Sequence, residues 1–332
     1  MKKSSGAEIE DDPTGALRRF VADHELPLRR QVHGDLAAAV LRYGAFVGSA
    51  IQHYPRLTRA MDQARAHIAA QEAGARSVAS GTVITAGSLS DSRGRFARRW
   101  FAPAGGFWGC LIHANTLLPA SRSLLPLAVG VACCEAIRQA GAFDARLRWV
   151  NDVLLDGKKV AGSLIQGFSG PQRQDDYDLI GFGVNLNNRI FPEELRESAT
   201  SLAASLGRPI DLPHFQSTFL AKLTWNLGLL YFEEAKSLRE EGFSGAGGEH
   251  LLLHGWKELS DTIGRRIVFG QDLFETPLYE ATVTGLRDDG ALMMRLDDGS
   301  SLAQLCGEIR YCPGSPEAKR TEAARPLKSN EP

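Results

Sequence analysis

Apolar positions change their spacing several times along this chain, and each change predicts an element. From about Thr14 to Phe46 they recur with a helical period, and Pro27 is expected to break the run, because proline lacks an N–H and its ring crowds the preceding turn. Asp35 to Tyr43 reads as a helix with Leu36, Val40 and Tyr43 on one face. Ile51 to Tyr54 suggests a short strand. Thr58 to Glu72 suggests an alanine-rich helix with Thr58 as its cap and Gly74 as its stop. β-Branched Gly81 to Ala86 and apolar Phe107 to His113 read as strands, and Leu125 to Ala140 as a helix that tolerates Pro126 in its first turn. Arg146 to Val150 alternates as a strand, and Asp156-Gly157 marks a hairpin between Val153–Leu155 and Lys158–Val160. Leu164-Ile165 and Leu179 to Leu186 follow as strands, the second apolar enough to be buried on both faces. Pro213 to Leu238 reads as a long amphipathic helix, and glycine-rich Gly242 to Gly248 as a flexible loop. Beyond Thr262 the rhythm shortens. Asp289-Gly290 and Asp298-Gly299 stand nine residues apart, with Leu292, Met294 and Leu296 alternating between them. Two such turns predict a small antiparallel sheet or barrel of about 50 residues. Residues 1 to about 15 and the last 20 are polar and read as mobile ends.

Length and charge narrow the classes. At roughly 100–200 residues per domain, 332 residues imply two domains. Lysine plus arginine is 38 and aspartate plus glutamate 39, a formal charge of −1, so no overall basic field draws the chain to nucleic acid or a lipid surface. The longest apolar run, Leu124 to Cys134, is 11 residues, short of the roughly 18 a membrane helix needs, and the N-terminus has no apolar core of a secretory signal. Cys110, Cys133, Cys134, Cys306 and Cys312 fit neither a disulfide framework nor a zinc pattern. They read as small apolar residues kept reduced, which points to a cytoplasmic protein.

Three segments carry candidate chemistry. In Ser92-Arg-Gly-Arg-Phe-Ala-Arg-Arg-Trp100, four arginines, Arg93, Arg95, Arg98 and Arg99, fall within seven residues around one glycine. Guanidinium forks suit phosphate oxygens, and Trp100 offers a face for a base; a solvated basic loop is the alternative. In Arg148-Trp-Val-Asn-Asp152, followed by Gly157-Lys-Lys-Val-Ala-Gly162, Asn151 and Asp152 lie at a strand exit. There Asp152 suits magnesium, which arrives with phosphates, and Lys159 suits an α-phosphate or a carboxylate; a surface hairpin with solvated lysines is the alternative. In Gly181-Phe-Gly-Val-Asn-Leu-Asn-Asn188, a buried strand runs into asparagines that either serve a ligand or cap a turn.

Taken in order with Ala199-Thr-Ser-Leu202, these segments resemble the catalytic domain of biotin protein ligases, within the biotin/lipoate ligase superfamily. The resemblance spans about residues 50 to 260, and the small C-terminal domain is similar to that family's SH3-like domain. It implies an α+β fold, a mixed β-sheet with flanking helices plus a small SH3-like β-barrel. The implied divisions are an N-terminal helical extension over 1–48 with no recognisable helix-turn-helix, a catalytic domain over 49–261, the SH3-like domain over 262–312 and a disordered tail over 313–332. It also implies ATP-dependent activation of biotin as biotinyl-AMP, with Mg2+, and transfer to a lysine of a carrier-protein domain. Lys159 with Arg95 and Arg98 would be catalytic; Arg93, Trp100, Asn151, Asn185 and Gly162 would hold the nucleotide; Asp152 would take the metal. No nucleic-acid or membrane partner is implied, and monomer and homodimer both stay open.

The sequence departs from the family at the acid's head group. Arg59-Ala60 stand where the family has Ser-Thr, Leu89-Ser-Asp-Ser92 where it has Gln-Thr-x-Gly, Arg148 and Val150 replace lysine and proline, and Ala97 replaces a loop glycine. Unpartnered ureido groups would cost on the order of 1–3 kcal/mol each. The same chemistry on lipoate or a medium-chain fatty acid is therefore a second reading, and a non-catalytic acyl-adenylate or nucleotide binder a third.

Overall fold

The computed structural model describes residues 12–240, 250–273 and 275–314. The Gly242–Gly248 loop and most of the two polar ends lie outside these residues. The described elements are α1 (Pro13–Phe20), α2 (Leu26–His33), α3 (Leu36–Tyr43), β1 (Ala50–Tyr54), α4 (Ala60–Ala73), β2 (Thr82–Ala86), β3 (Phe107–Ala114), α5 (Pro119–Arg122) and α6 (Leu125–Gln139). There follow β4 (Arg146–Arg148), β5 (Asp152–Leu155), β6 (Lys158–Ser169), β7 (Asp176–Val184), α7 (Leu202–Leu206), α8 (Leu212–Glu240) and α9 (Leu251–Leu259). The C-terminal part holds β8 (Arg266–Gly270), β9 (Pro277–Leu286), β10 (Leu292–Arg295), β11 (Ser301–Gln304) and β12 (Glu308–Tyr311).

The larger sheet has seven strands in the order β1-β2-β3-β7-β6-β5-β4. β1 runs parallel to β2 and every other neighbouring pair is antiparallel, so the sheet is mixed, as expected. Strand alternation assigns its two faces. Phe107 and Leu111 of β3, with Ile180, Phe182 and Val184 of β7, turn to one side and join the main core with α6 and α8. Cys110 and Ile112, with Leu179, turn to the other side and pack against Ala60, Ala64 and Ile68 of α4. That second face changes character along the strands. Gly162, Gly181 and Gly183 stand on it where β6 and β7 pair, so α4 covers one half and leaves a glycine floor under the other.

In α6, 11 of 15 residues are buried. The stretch Pro119–Gln139 is long and apolar enough to span a bilayer by composition, but two-thirds of its apolar window is buried between the sheet, α8 and α9, the setting of a core helix. Cys110, Cys133 and Cys134 are buried in this interior, and burial pushes the Cys110 and Cys134 thiols up to about 12. Cys306 differs from the expectation: it is exposed.

Several local readings are corrected. Pro27 does not break the first helical run. A π-turn over Val21–Glu25 widens the helix just before it, and the Leu26 N–H bonds the Val21 carbonyl, so Pro27 enters in the first turn of α2, where a missing N–H costs little. Thr58 is not a cap; Arg59 is the N-cap of α4 and makes no side-chain capping bond. Arg146–Val150 is strand only to Arg148, after which Trp149, Val150 and Asn151 turn the chain into β5. The two predicted pieces Lys158–Val160 and Leu164-Ile165 are one 12-residue strand, β6.

The N-terminal helices are tied to the body by a buried charge network. Lys222 of α8 and Glu25 pair at 2.7 Å, and both side chains are almost fully buried. Arg29 reaches Glu25 at 2.7 Å and Glu135 of α6 at 2.6 Å, with its guanidinium 4.6 Å from the centre of the Trp225 ring. Asn226 donates to Glu135 at 2.9 Å. Burial pushes the Glu135 carboxyl up, but Arg29, Lys222 and Asn226 hold it below the ordinary range.

The C-terminal sheet has five antiparallel strands in the order β11-β10-β9-β8-β12, as expected of an SH3-like domain. Its interior is Ile267, Phe269, Ala281, Val283, Leu292, Met294 and Ile309. The two Asp-Gly pairs lie in the turns flanking β10, with Gly290 and Gly299 at positive φ.

Candidate active site

The uncovered half of the sheet is a cleft of about 1020 Å³. Its floor is the glycine face of β6 and β7. Its walls are the start of α4, the arginine loop, the β4–β5 turn and the start of β12.

One pole is a charge cluster. Lys159 Nζ lies 2.6 Å from Asp152 Oδ1, and Arg148 Nη2 lies 2.7 Å from Asp152 Oδ2. Two backbone features bring them together: β4 and β5 pair Arg148 with Asp152, and a register shift in the β5–β6 ladder sets Lys159 opposite Leu154. Burial alone would raise the Asp152 carboxyl, but Lys159 and Arg148 lower it to about 2. Asp152 is thus ionised throughout the neutral range, holding two cations side by side at the mouth of the cleft.

Gly162 makes room for the lysine. A Cβ there would stand 2.8 Å from Lys159 Cε, 3.0 Å from Nζ and 3.3 Å from Asp152 Oδ1. Gly183 does the same for Trp100, whose indole a Cβ would meet at 2.8 Å. Trp100 therefore lies flat on the sheet, with Lys159 Nζ 5.2 Å from the centre of its ring, close enough for a cation–π contact. Its Nε1 is buried and meets no acceptor among the described residues.

Asn151 donates to the carbonyl of Ser163 and, at 3.1 Å, to its hydroxyl, which fixes the β4–β5 turn against β6. Asn185 is buried; its backbone bonds Val160 and Leu202, and its side-chain oxygen accepts from Asn188 at 3.0 Å. Lys159, Gly162, Trp100, Asn151, Asn185 and Asp152 thus all line one cleft.

The arginine loop lines it too, but Arg93, Arg95 and Arg98 are engaged with protein groups. Arg93 is largely exposed and pairs with Asp91 at 3.2 Å. Arg95 donates to the Gly307 carbonyl at 2.5 Å, and Arg98 is ion-paired with Glu308. Two residues of the C-terminal domain therefore hold the loop, about 210 positions away in sequence, and no motif marked them. Phe96 and Ala97 have φ of +54° and +57°, the left-handed region that a glycine at 97 would enter freely.

The expected metal role of Asp152 fits poorly. Both its oxygens are taken by cations, and no cluster of three histidine, cysteine or acidic side chains occurs among the described residues. Magnesium is usually held by one or two carboxylates together with phosphate oxygens. In this structure the Asp152 carboxylate is spent on Lys159 and Arg148.

The model of the biotin/lipoate A/B protein ligase family matches residues 60–185, the segment that carries α4, the arginine loop and the Lys159–Asp152 pole. The match covers 60–185 alone, and over the rest of the chain the likeness is one of fold. Similar sequences are named as ligases. The "Bifunctional ligase/repressor BirA" of Bacillus subtilis (strain 168) is 34% identical over 134 residues, 40% of this chain and 41% of that protein. The "Biotin--[acetyl-CoA-carboxylase] ligase" of Paracoccus denitrificans is 36% identical over 37% of this chain and 53% of its own length. The chain thus spans about half or less of these relatives' lengths. Among solved structures, the biotin protein ligase from Aquifex aeolicus in complex with biotin and ATP superposes with a TM-score of 0.60 and 20% identity, covering 79% of this chain and 99% of that one, a likeness of fold.

Proposed function

We propose that this chain is an ATP-dependent biotin protein ligase of the cytoplasm. It activates biotin as biotinyl-AMP and passes the biotinyl group to a lysine of a carrier-protein domain. The observation that carries this reading is the Lys159–Asp152–Arg148 cluster at one pole of a glycine-floored cleft. Residues 49–261 would do the chemistry, and residues 262–312 would hold the arginine loop.

In the first step a carboxylate oxygen of the acid attacks the α-phosphorus of ATP, and pyrophosphate leaves. Two anions must approach each other, so a fixed cation between them does most of the electrostatic work. Lys159 would fill that role, paired with Asp152, beside the Trp100 ring and with room made by Gly162. Arg95 and Arg98 would exchange Gly307 and Glu308 for phosphate oxygens, and Trp100 and Asn151 would border the adenosine. In the second step the carrier's neutral lysine amine attacks the acyl carbonyl, an amide forms, and AMP leaves with the bonding pair. Magnesium would come with the nucleotide's phosphates, and no step here is assigned to it.

The direct test is acid-dependent exchange of labelled pyrophosphate into ATP, with biotin, lipoate and octanoate compared, followed by transfer of labelled biotin to a carrier domain. Exchange and transfer with biotin are expected. Exchange driven only by lipoate or octanoate would shift the substrate, and binding without any exchange would make the protein a nucleotide or acyl-adenylate binder.

Gly162→Ala gives a sharper check on the geometry. The added methyl meets the flexible end of Lys159 rather than backbone, so the lysine moves and the fold does not. Exchange should fall by about tenfold or more while the melting temperature stays within about 2 °C of wild type.

A further inference from the structure

After β7 ends at Val184, the chain comes back beside the start of β6. The Lys159 N–H donates to the Ser198 carbonyl at 2.8 Å, and the Thr200 N–H donates to the Lys159 carbonyl at 3.0 Å. Neighbouring strands stand about 4.8 Å apart, so the returning segment lies one strand's width from the Lys159 backbone. It walls a recess of about 360 Å³ lined by Lys158, Arg189, Ile190, Phe191, Arg196 and Thr200. Phe191 and Ala199 border both this recess and the cleft, so the two adjoin.

Charge and exposure set the recess apart from a solvated loop. Among the described residues, three cations line it and no carboxylate does. Glu193, Glu194 and Glu197 lie on the same segment without bordering the recess, and Glu197, 97% exposed, reaches Lys158 only at 3.9 Å. Lys158 Nζ donates to the Arg196 carbonyl at 2.8 Å, which ties the segment to β6. The guanidiniums of Arg189 and Arg196 have no hydrogen-bond or ion-pair partner among the described residues. Beside them Ile190 is 83% exposed, a large apolar side chain standing in water. A free phosphate or nucleotide would use the cations and leave that isoleucine wet. A protein surface covers both, and arginines around a large apolar side chain suit such contacts.

We infer that this recess seats the carrier domain, and that the carrier meets it with acidic side chains and an apolar one beside its acceptor lysine. This rests on the ligase reading above and names the surface that its second step uses. The carrier's carboxylates pair with Arg189, Arg196 and Lys158, and its apolar side chain covers Ile190. The acceptor lysine then extends past Phe191 and Ala199 toward Lys159, where the acyl carbonyl stands. Arg189, Arg196 and Ile190 have no part in the first step, so the two steps separate in their dependence on this surface.

The test compares wild type, the double variant Arg189→Glu with Arg196→Glu, and Ile190→Ser. All three positions are exposed, so no substitution opens the core. One readout is biotin-dependent pyrophosphate exchange without carrier. The other is transfer of labelled biotin to a purified biotin carboxyl carrier domain with its lysine unmodified. In the double variant the KM for the carrier should rise by about tenfold or more with kcat within about threefold, while exchange and its KM for ATP stay within about twofold of wild type. Raising salt from about 0.05 M to about 0.5 M should weaken wild-type transfer by about tenfold and the double variant's by less than about threefold. Ile190→Ser should raise the KM for the carrier by about threefold or more and keep the wild-type salt dependence. Wild-type transfer kinetics in either variant overturn the inference. So does a loss of exchange that matches the loss of transfer, which would make the recess a phosphate site of the first step. A wild type with no biotin-dependent exchange, or with no transfer, instead overturns the ligase reading on which the inference rests.

Discussion

Lys159→Ala should lower acid-dependent pyrophosphate exchange by about 10²–10³-fold or more while leaving the protein folded, because one preorganised charge at a site of developing negative charge contributes that much. The lysine is the cation that the cleft is built around: Gly162 clears its path, Trp100 lies 5.2 Å from its ammonium, and Asp152 holds it at 2.6 Å. Arg148, the other cation on Asp152, is committed to its second oxygen. Wild-type exchange in this variant would remove the assignment. The variant also changes the titration of the pole. The Asp152 carboxyl at about 2 lies below the ordinary value of about 3.9, so its pairing stabilises the fold above about pH 4 and is lost as the pH falls through about 2. Without Lys159, the carboxyl should titrate nearer the ordinary value, moving the acid unfolding midpoint upward. In neither protein should Asp152 set an acid limb of the rate profile near neutral pH.

Lys222→Met should destabilise the protein by about 3–5 kcal/mol in denaturant unfolding, more than any cleft substitution above, because it strands the buried Glu25 carboxylate. The two side chains are 3% and 2% exposed, so water cannot replace the lost partner. Arg29 remains 2.7 Å from Glu25 but is shared with Glu135 at 2.6 Å. The double variant Lys222→Met with Glu25→Leu should recover most of the loss, since an apolar pair of similar volume removes both desolvation penalties at once. Equal losses in the single and double variants would show that packing around α8, and not the stranded charge, carries the effect.

Sequence pattern revealed different parts of this molecule to different depths. Strands whose side chains alternate or run apolar, such as β2, β3 and β7, were legible because burial on one or both faces leaves that trace. The Asp-Gly turns of the C-terminal sheet were legible because only certain residues accept their backbone. Lys159, Asp152 and Gly162 were legible as a local motif, since one hairpin brings them together. What failed depends on partners far away. Pro27 reads as a helix breaker until a π-turn absorbs it. The contacts of Arg95 and Arg98 with Gly307 and Glu308 of a separate sheet leave no motif. Arg59 reads as a misfit among apolar wall residues until Asp91, 32 positions on, pairs with it. Charge pairing across such distances leaves no periodicity to detect.

The network joining the N-terminal helices to α6 and α8 also bears on the order in which the protein is made. Glu25 and Arg29 leave the ribosome early, but Glu135 follows Arg29 by 106 residues and Lys222 follows Glu25 by 197. At about 5–20 residues per second, the first helices wait on the order of ten seconds or more before α8 can neutralise Glu25. During that interval Arg29 can meet Glu135 of α6, but Glu25 still lacks Lys222. The helices from Pro13 to Tyr43 thus wait on a residue made 197 positions after Glu25, and their docking reports that Lys222 has arrived.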